Sequence, residues 1–147
     1  MGYSGVNDTK IYYEIYGKGE YVAFLNGIFM STQSFSQFLP LFSKKYSVLL
    51  HDFRGQWNSG KEGEKYSLEL HSKDFYKLLN ELKIEKINIV GISYGGEKFS
   101  KIIQKNIENS ELVIIGDSGH AIPVEKRNEL ETVIYGFLEK IDMNERS

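Results

Sequence analysis

Apolar and polar positions alternate through residues 10–16, a stretch rich in Ile and Tyr that follows the turn-forming pair Asn7-Asp8. This period of two predicts a short opening hairpin, ended by Gly17-Lys18-Gly19. Residues 21–25 and 46–50 are apolar runs dense in β-branched and aromatic side chains, and residues 35–44 between them have helical spacing interrupted at Pro40. The pattern is a β-α-β unit. A second one follows: Ser67 is placed to cap a helix carrying Leu68, Phe75, Leu78, Leu79 and Leu82 on one stripe, and residues 86–90 (KINIV) read as another buried strand. Beyond it, residues 98–109 read as a helix and residues 112–115 as the last strand. Residues 125–141 form a closing helix with Leu130, Val133, Ile134, Phe137 and Leu138 inward.

Strands alternating with helices imply an α/β fold, a three-layer sandwich with a mostly parallel sheet of about six strands and helices on both faces. Ligands of such sheets sit at the carboxyl ends of the strands, near the switch in strand order. That end of the sheet is therefore where chemistry is sought.

Composition narrows the function classes. The chain has 147 residues, 41% hydrophobic and 14% aromatic, which suits one domain, residues 1–147, with a real core. Net charge is -2 with acids and lysines interspersed, so no basic face is set aside for nucleic acid. There is no cysteine, hence no disulfide framework and no thiolate metal site, and His51, His71 and His120 are too widely spread to suggest a metal cluster. No cofactor or metal is expected. The amino terminus has no basic stretch leading into an apolar one, and no apolar run approaches the roughly 20 residues of a bilayer span. The expectation is a soluble, cytoplasmic protein with no membrane partner.

The residues that carry chemistry centre on Gly91-Ile92-Ser93-Tyr94-Gly95, a G-x-S-x-G motif with a buried strand before it and a helix after it. The turn must be tight enough to lift the serine Oγ clear of the sheet, and Gly91 and Gly95, helped by Gly96, remove β-carbons that would collide there. The bland alternative is a merely packed serine. His120, in Asp117-Ser118-Gly119-His120 just past the last strand, stands on the same rim and could take the serine proton. His51 on a strand and His71 on a helix read as packing or surface.

Three more stretches strengthen a resemblance to the α/β-hydrolase superfamily. Asn26-Gly27-Ile28 looks like that family's His-Gly oxyanion turn with Asn26 in place of His. The resemblance implies backbone donors at Ile28 and Tyr94. Residues 52–59 (DFRGQWNS) resemble its D-x-R-G-x-G-x-S loop, with Trp57 where a glycine is usual, and Asp52 and Arg54 read as structural braces rather than catalytic groups. Gly119-His120 follows the last strand as the family's histidine does. The aromatics Tyr12, Tyr13, Tyr16, Phe35, Phe38 and Phe42 read as core and edge filling, with an acyl-binding role for Phe29 or Phe35 the lesser reading.

The resemblance also implies a shortened form. Ser93 and His120 leave room for one helix and one strand where the family has a cap, several helices and two further strands, so the junction is placed near residues 97–98. The family's usual acid is missing, and only Glu97 and Asp117 lie where they could approach His120, each with a local alternative: a first-turn helix charge for Glu97, a turn closure for Asp117. A crossover through residues 96–109 then gives strand order 1-2-4-3-5-6, a minimal version of the fold reached by natural deletion or by engineering. The leading expectation is a weak serine hydrolase of small esters. The rivals are a catalytically impaired or inactive scaffold and a homodimer paired through its last strand.

Overall fold

The computed structural model describes residues 1–63, 66–93, 95–96 and 127–145. Two compact units make up the chain: among the described residues, Met1–Ile114 holds a five-stranded mixed sheet and Ile115–Ser147 holds a long helix.

The sheet begins with β1 (Gly2–Val6) and β2 (Thr9–Tyr16), antiparallel, with Val6 opposite Thr9 across the Asn7-Asp8 turn. Asn7 takes φ 48, a left-handed value that asparagine tolerates better than most residues. Next come β3 (Tyr21–Leu25), β4 (Ser47–His51) and β5 (Asn88–Gly91), and the described strands lie in the order β1-β2-β4-β3-β5. β4 is antiparallel to β2 and parallel to β3, and β3 is parallel to β5, so β3 is the central parallel strand. The sixth strand expected over residues 112–115 and the helix expected over residues 98–109 lie outside the described residues.

Side-chain alternation sorts β3 and β4 onto two faces. On one, Ala23, Leu25 and Leu49 pack with Phe53 and with Phe75 and Leu79 of helix α2 (Leu68–Glu81). On the other, the Phe24 ring meets Phe35 at 5.2 Å, Phe38 at 6.2 Å and Phe42 at 5.5 Å. All three partners are buried, which makes them core. Phe35 ends a 3-10 turn (Thr32–Phe35), Phe38 is the N-cap and Phe42 the last residue of a four-residue helix α1 (Leu39–Phe42), in place of the single helix expected over residues 35–44. Pro40 is the reason: it lacks an N–H and fits only in a helix's first turn, so α1 starts around it instead of running through it.

Ser67 caps α2, its side chain accepting the Leu70 N–H at 3.1 Å. Lys83 closes the helix at φ 57 while the Ile84 N–H reaches back to the Leu79 carbonyl at 2.9 Å, the job glycine usually does. In the second unit, helix α3 (Arg127–Glu145) buries Leu130, Ile134 and Leu138, with Val133 and Phe137 half-buried. No helix among the described residues is long and apolar enough to cross a membrane.

Two polar arrangements lie inside this apolar framework. Arg54 is buried and donates from Nε to Asp74 Oδ2 at 2.7 Å and from Nη2 to Asp74 Oδ1 at 2.8 Å, while its Nη1 meets the exposed Asp8 at 2.6 Å. Asn7 Nδ2 adds a bond to Asp74 at 2.7 Å, so this fork ties α2 to the first hairpin turn and to the loop after β4. His51 is buried between Phe53, edge-on at 4.9 Å, and Phe75 at 5.1 Å. His71 lies against Phe53 at 5.0 Å. Both histidines are packing groups, as the sequence reading has them.

Breaking one side of a buried ion pair costs about 3–5 kcal/mol. Asp74→Asn keeps the side chain's shape but leaves Arg54 only the exposed Asp8, so urea denaturation should show a loss near the lower figure; a variant as stable as the parent removes the fork from the account. A second expectation concerns acid. Burial, with a smaller contribution from His71, pushes His51 from 6.5 down to about 3. The unfolded chain therefore binds a proton that the folded chain refuses. Stability from this source is fully present above pH 6.5 and falls as pH drops through that window toward 3, by about 1.4 kcal/mol per pH unit. His51→Phe should flatten that part of the stability–pH curve relative to the parent, and unchanged slopes would contradict the assignment.

Candidate active site

The site grows from the carboxyl ends of the parallel strands. β5 ends at Gly91, and within two residues the chain is at Ser93 with φ 53, a left-handed value rare for serine and expected at a strained corner. Gly95 N–H donates to the Ile92 carbonyl and Gly96 N–H to the Ser93 carbonyl, each at 3.0 Å, so the backbone turns at once after the strand. Ser93 is exposed while Ile92 before it is buried. The corner thus lifts one serine to the surface.

Close approach of backbone to backbone makes the corner possible. A β-carbon on Gly91 would strike the Gly95 carbonyl, and one on Gly95 would lie 2.6 Å from the Leu25 oxygen and 2.7 Å from the Asn26 oxygen. The corner is therefore pressed against the end of β3, where the Ile92 N–H also donates to the Leu25 carbonyl at 3.2 Å. One residue further, a β-carbon on Gly27 would lie 3.3 Å from Ser93 Cβ and 2.9 Å from Met30 Sδ. The turn after β3 touches the serine directly.

That turn is held from several sides. Met30 N–H donates to the Gly27 carbonyl at 3.2 Å, and the Gly27 N–H reaches Met30 Sδ at 3.3 Å. Phe29, third of the four residues, takes φ 65, where such turns usually have glycine. Asn26 is buried and donates from Nδ2 to the His51 carbonyl at 2.8 Å, which fixes the turn to the end of β4. Thr32 ends the segment, its N–H on Asp52 Oδ1 at 2.9 Å and its hydroxyl on Glu14 at 3.0 Å.

Asp52 does what the sequence reading assigned it. Besides the Thr32 N–H, it accepts the Asn58 N–H and Nδ2, each at 3.2 Å, so one buried carboxylate joins the loop after β3 to the loop after β4. Burial pushes its carboxyl up, against the opposing pull of those N–H groups. Burial also pushes Glu14 up, but hydrogen bonds from Tyr16, Tyr12 and Thr32 outweigh it and hold the group below the usual carboxylate range. Trp57, at φ 42 and exposed, takes a left-handed backbone conformation that favours glycine.

Of the nucleophile, base, acid and oxyanion candidates read from sequence, Ser93 and Ile28 fall among the described residues. Ile28 directly follows Gly27 on the turn that touches Ser93, and half of its surface is exposed. Tyr94, Glu97, Asp117 and His120 lie outside the described residues. Among the described residues no group of three or more His, Cys, Asp and Glu could hold a metal ion. Sequence reading missed the Met30 and Thr32 contacts, for which the chain carries no local signal. It also missed the Asn26 amide's hold on β4, whose only hint was the substitution at the oxyanion turn.

Comparison with known proteins gives a consistent picture. The family model described as the alpha/beta hydrolase fold matches residues 21–97. The chain is 27% identical over 99 residues to a non-heme haloperoxidase of Rhodococcus erythropolis, a match covering 67% of this chain and 36% of that protein. Among solved structures it is similar to an alpha/beta hydrolase enzyme from a Medee basin deep-sea metagenome library, with 37% identity and TM-score 0.62 over 65% of this chain and 36% of the other. It is also similar to the enol-lactonase of Burkholderia xenovorans, with 28% identity and TM-score 0.63 over 65% of this chain and 38% of the other. The chain spans about a third of the length of these proteins.

The glycine geometry carries a direct expectation. Gly95→Ala sets its methyl against two backbone carbonyls that move only if β3 parts from the corner, and overpacking of this kind costs about 1–3 kcal/mol. Gly136→Ala, on α3 with open space at the β-carbon, should cost nothing. Thermal melts of the two variants check the contrast, and equal melting temperatures would mean the corner is looser than described.

Proposed function

The chain belongs to the α/β-hydrolase fold family, and from that premise we propose that it is a serine hydrolase acting on small carboxylic esters. The observation that carries the reading is Ser93: exposed, at φ 53, on a corner close against the turn that carries Ile28. In the proposed reaction Ser93 Oγ attacks the ester carbonyl as His120 takes its proton, and the oxygen that becomes negative is held by the Ile28 and Tyr94 N–H groups. The new Oγ–C bond forms and the bond to the leaving oxygen breaks, with His120 returning the proton to that oxygen. Water, activated by the same imidazole, then releases the acid and restores the serine.

Several features support this chemistry. Backbone donors survive the exchange of the family's histidine for Asn26, because the oxyanion contact needs an N–H and no particular side chain. Among the described residues the Ile28 N–H has no protein acceptor, while its neighbour Gly27 is engaged by Met30. Glu97 and Asp117 are the candidates to orient His120. Loss of an orienting acid lowers turnover by on the order of 10⁴-fold where it has been examined. We therefore expect feeble turnover, best on short activated esters.

The test is p-nitrophenyl acetate hydrolysis. Ser93→Ala should fall to the uncatalysed background. His120→Ala should lose on the order of 10²–10⁴-fold, the usual contribution of a general base. A fluorophosphonate should label the parent and not Ser93→Ala. If parent and both variants hydrolyse at one rate and Ser93 stays unlabelled in a cooperatively melting protein, the chain is a non-catalytic core of the fold.

A further inference from the structure

Met30 acts twice on the turn beside Ser93, once through its backbone and once through its sulfur. Its N–H closes the turn on the Gly27 carbonyl at 3.2 Å, and its Sδ accepts the Gly27 N–H at 3.3 Å. A β-carbon on Gly27 would lie 2.9 Å from that sulfur and 3.3 Å from Ser93 Cβ, so sulfur and serine flank the same point. Gly27 is buried, and its N–H therefore needs a partner. The thioether supplies one that is weak and uncharged. It does not oppose negative charge gathering at the next N–H of the chain, that of Ile28, as a carboxylate in its place would. Leucine would fill the same space and accept nothing, so the choice of residue has a chemical consequence beyond packing.

We propose that Met30 is a positioning residue and an oxidation site: its thioether fixes Gly27 so that the Ile28 N–H is the donor offered beside Ser93, and a peroxide turns the site off by converting that thioether to the sulfoxide. This rests on the reading of Ser93 as nucleophile and Ile28 as oxyanion donor. Sulfur carries two lone pairs. The Gly27 N–H faces one, and Met30 is only half-buried, so the other is within reach of a small oxidant. That pair attacks one oxygen of hydrogen peroxide: the S–O bond forms as the O–O bond breaks, and the leaving hydroxide takes the remaining proton and departs as water. Sulfur is oxidised by two electrons and the peroxide reduced by two. The sulfoxide's sulfur bears positive charge and no longer accepts an N–H, so the Gly27 amide is released. The turn also holds Phe29 at φ 65, a conformation that persists only while its surroundings enforce it. Loss of the sulfur contact therefore loosens the segment that carries the Ile28 N–H.

The experiment follows p-nitrophenyl acetate hydrolysis and hydrogen exchange at the Gly27 amide in the parent, Met30→Leu and Met30→Asn, before and after dilute hydrogen peroxide. Complete loss of one oxyanion donor costs about 10²–10³ in kcat, so a donor that is loosened but kept should cost about tenfold. Met30→Leu should show that loss in kcat with KM within about twofold, and faster exchange at Gly27. Met30→Asn should keep most of the parent's kcat, because its Oδ1 stands as many bonds from Cα as Sδ does and accepts the same N–H. Peroxide should lower the parent's kcat in step with the Met30 sulfoxide counted by peptide mass spectrometry, and methionine sulfoxide reductase should restore it. The other two methionines, Met1 and Met143, are 87% and 72% exposed and will oxidise in every protein tested, so both variants should take up oxygen there without losing rate. A leucine variant equal to the parent in rate and Gly27 exchange, an asparagine variant no better than leucine, or variants as peroxide-sensitive as the parent would each overturn the assignment and leave the nucleophile standing. Absence of any Ser93-dependent turnover in the parent overturns the reading beneath it as well.

Discussion

The structure depends on one close approach: the backbone corner after β5 lies against the last residues of β3, with only hydrogen atoms where β-carbons would be. Gly95 faces the Leu25 and Asn26 carbonyls, Gly91 faces Gly95, and Gly27 faces Ser93. Parallel pairing of Leu25 with Gly91 sets the two strand ends level, so the chain leaving each must share the same small volume. Glycine at these points is what lets both backbones occupy it. The exposed, left-handed Ser93 is the result of that compression.

A corner under this constraint needs surroundings that do not yield, and they are polar. Asp52 reaches Thr32 on one loop and Asn58 on another, Asn26 holds the His51 carbonyl, and Arg54 joins α2 to the loop after β4 through Asp74. Apolar packing alone would allow these loops to slide, because it is non-directional. The directed bonds explain how the protein tolerates Phe29 and Trp57 in backbone conformations usually left to glycine.

Much of this was legible in the chain. Period-two alternation in residues 10–16, the Asn7-Asp8 pair and the Ser67 cap marked local structure because each reports a local energy: pleat, turn and unpaired N–H groups. The glycine spacing around Ser93 marked the corner for the same reason. The helix read over residues 35–44 broke into two pieces because periodicity records which residues face the core and not how the backbone delivers them, and Phe35, Phe38 and Phe42 do meet Phe24. What stayed hidden was long-range: nothing near Arg54 announces Asp74 and Asp8 as its partners, and nothing near Met30 announces a thioether on a glycine N–H. Burial of His51 was open in the sequence for a related reason, since a strand's end residue can face core or water.

The same long-range contacts bear on how the proposed imidazole would be oriented. A carboxylate can accept about four hydrogen bonds, and those nearest the strand ends are already heavily engaged. Asp52 takes the Thr32 N–H and both Asn58 donors, and Asp74 takes two Arg54 donors and the Asn7 amide. Turning either toward an imidazole would release the loops that hold the corner, so whatever was gained in proton transfer would be lost in the position of the nucleophile. On the proposed mechanism, the acid must therefore come from the chain beyond Ser93, from Glu97 or Asp117, or the imidazole must work with less than a full charge behind it. Bracing and orienting are competing uses of a buried carboxylate, and around this sheet bracing has taken the ones within the described residues.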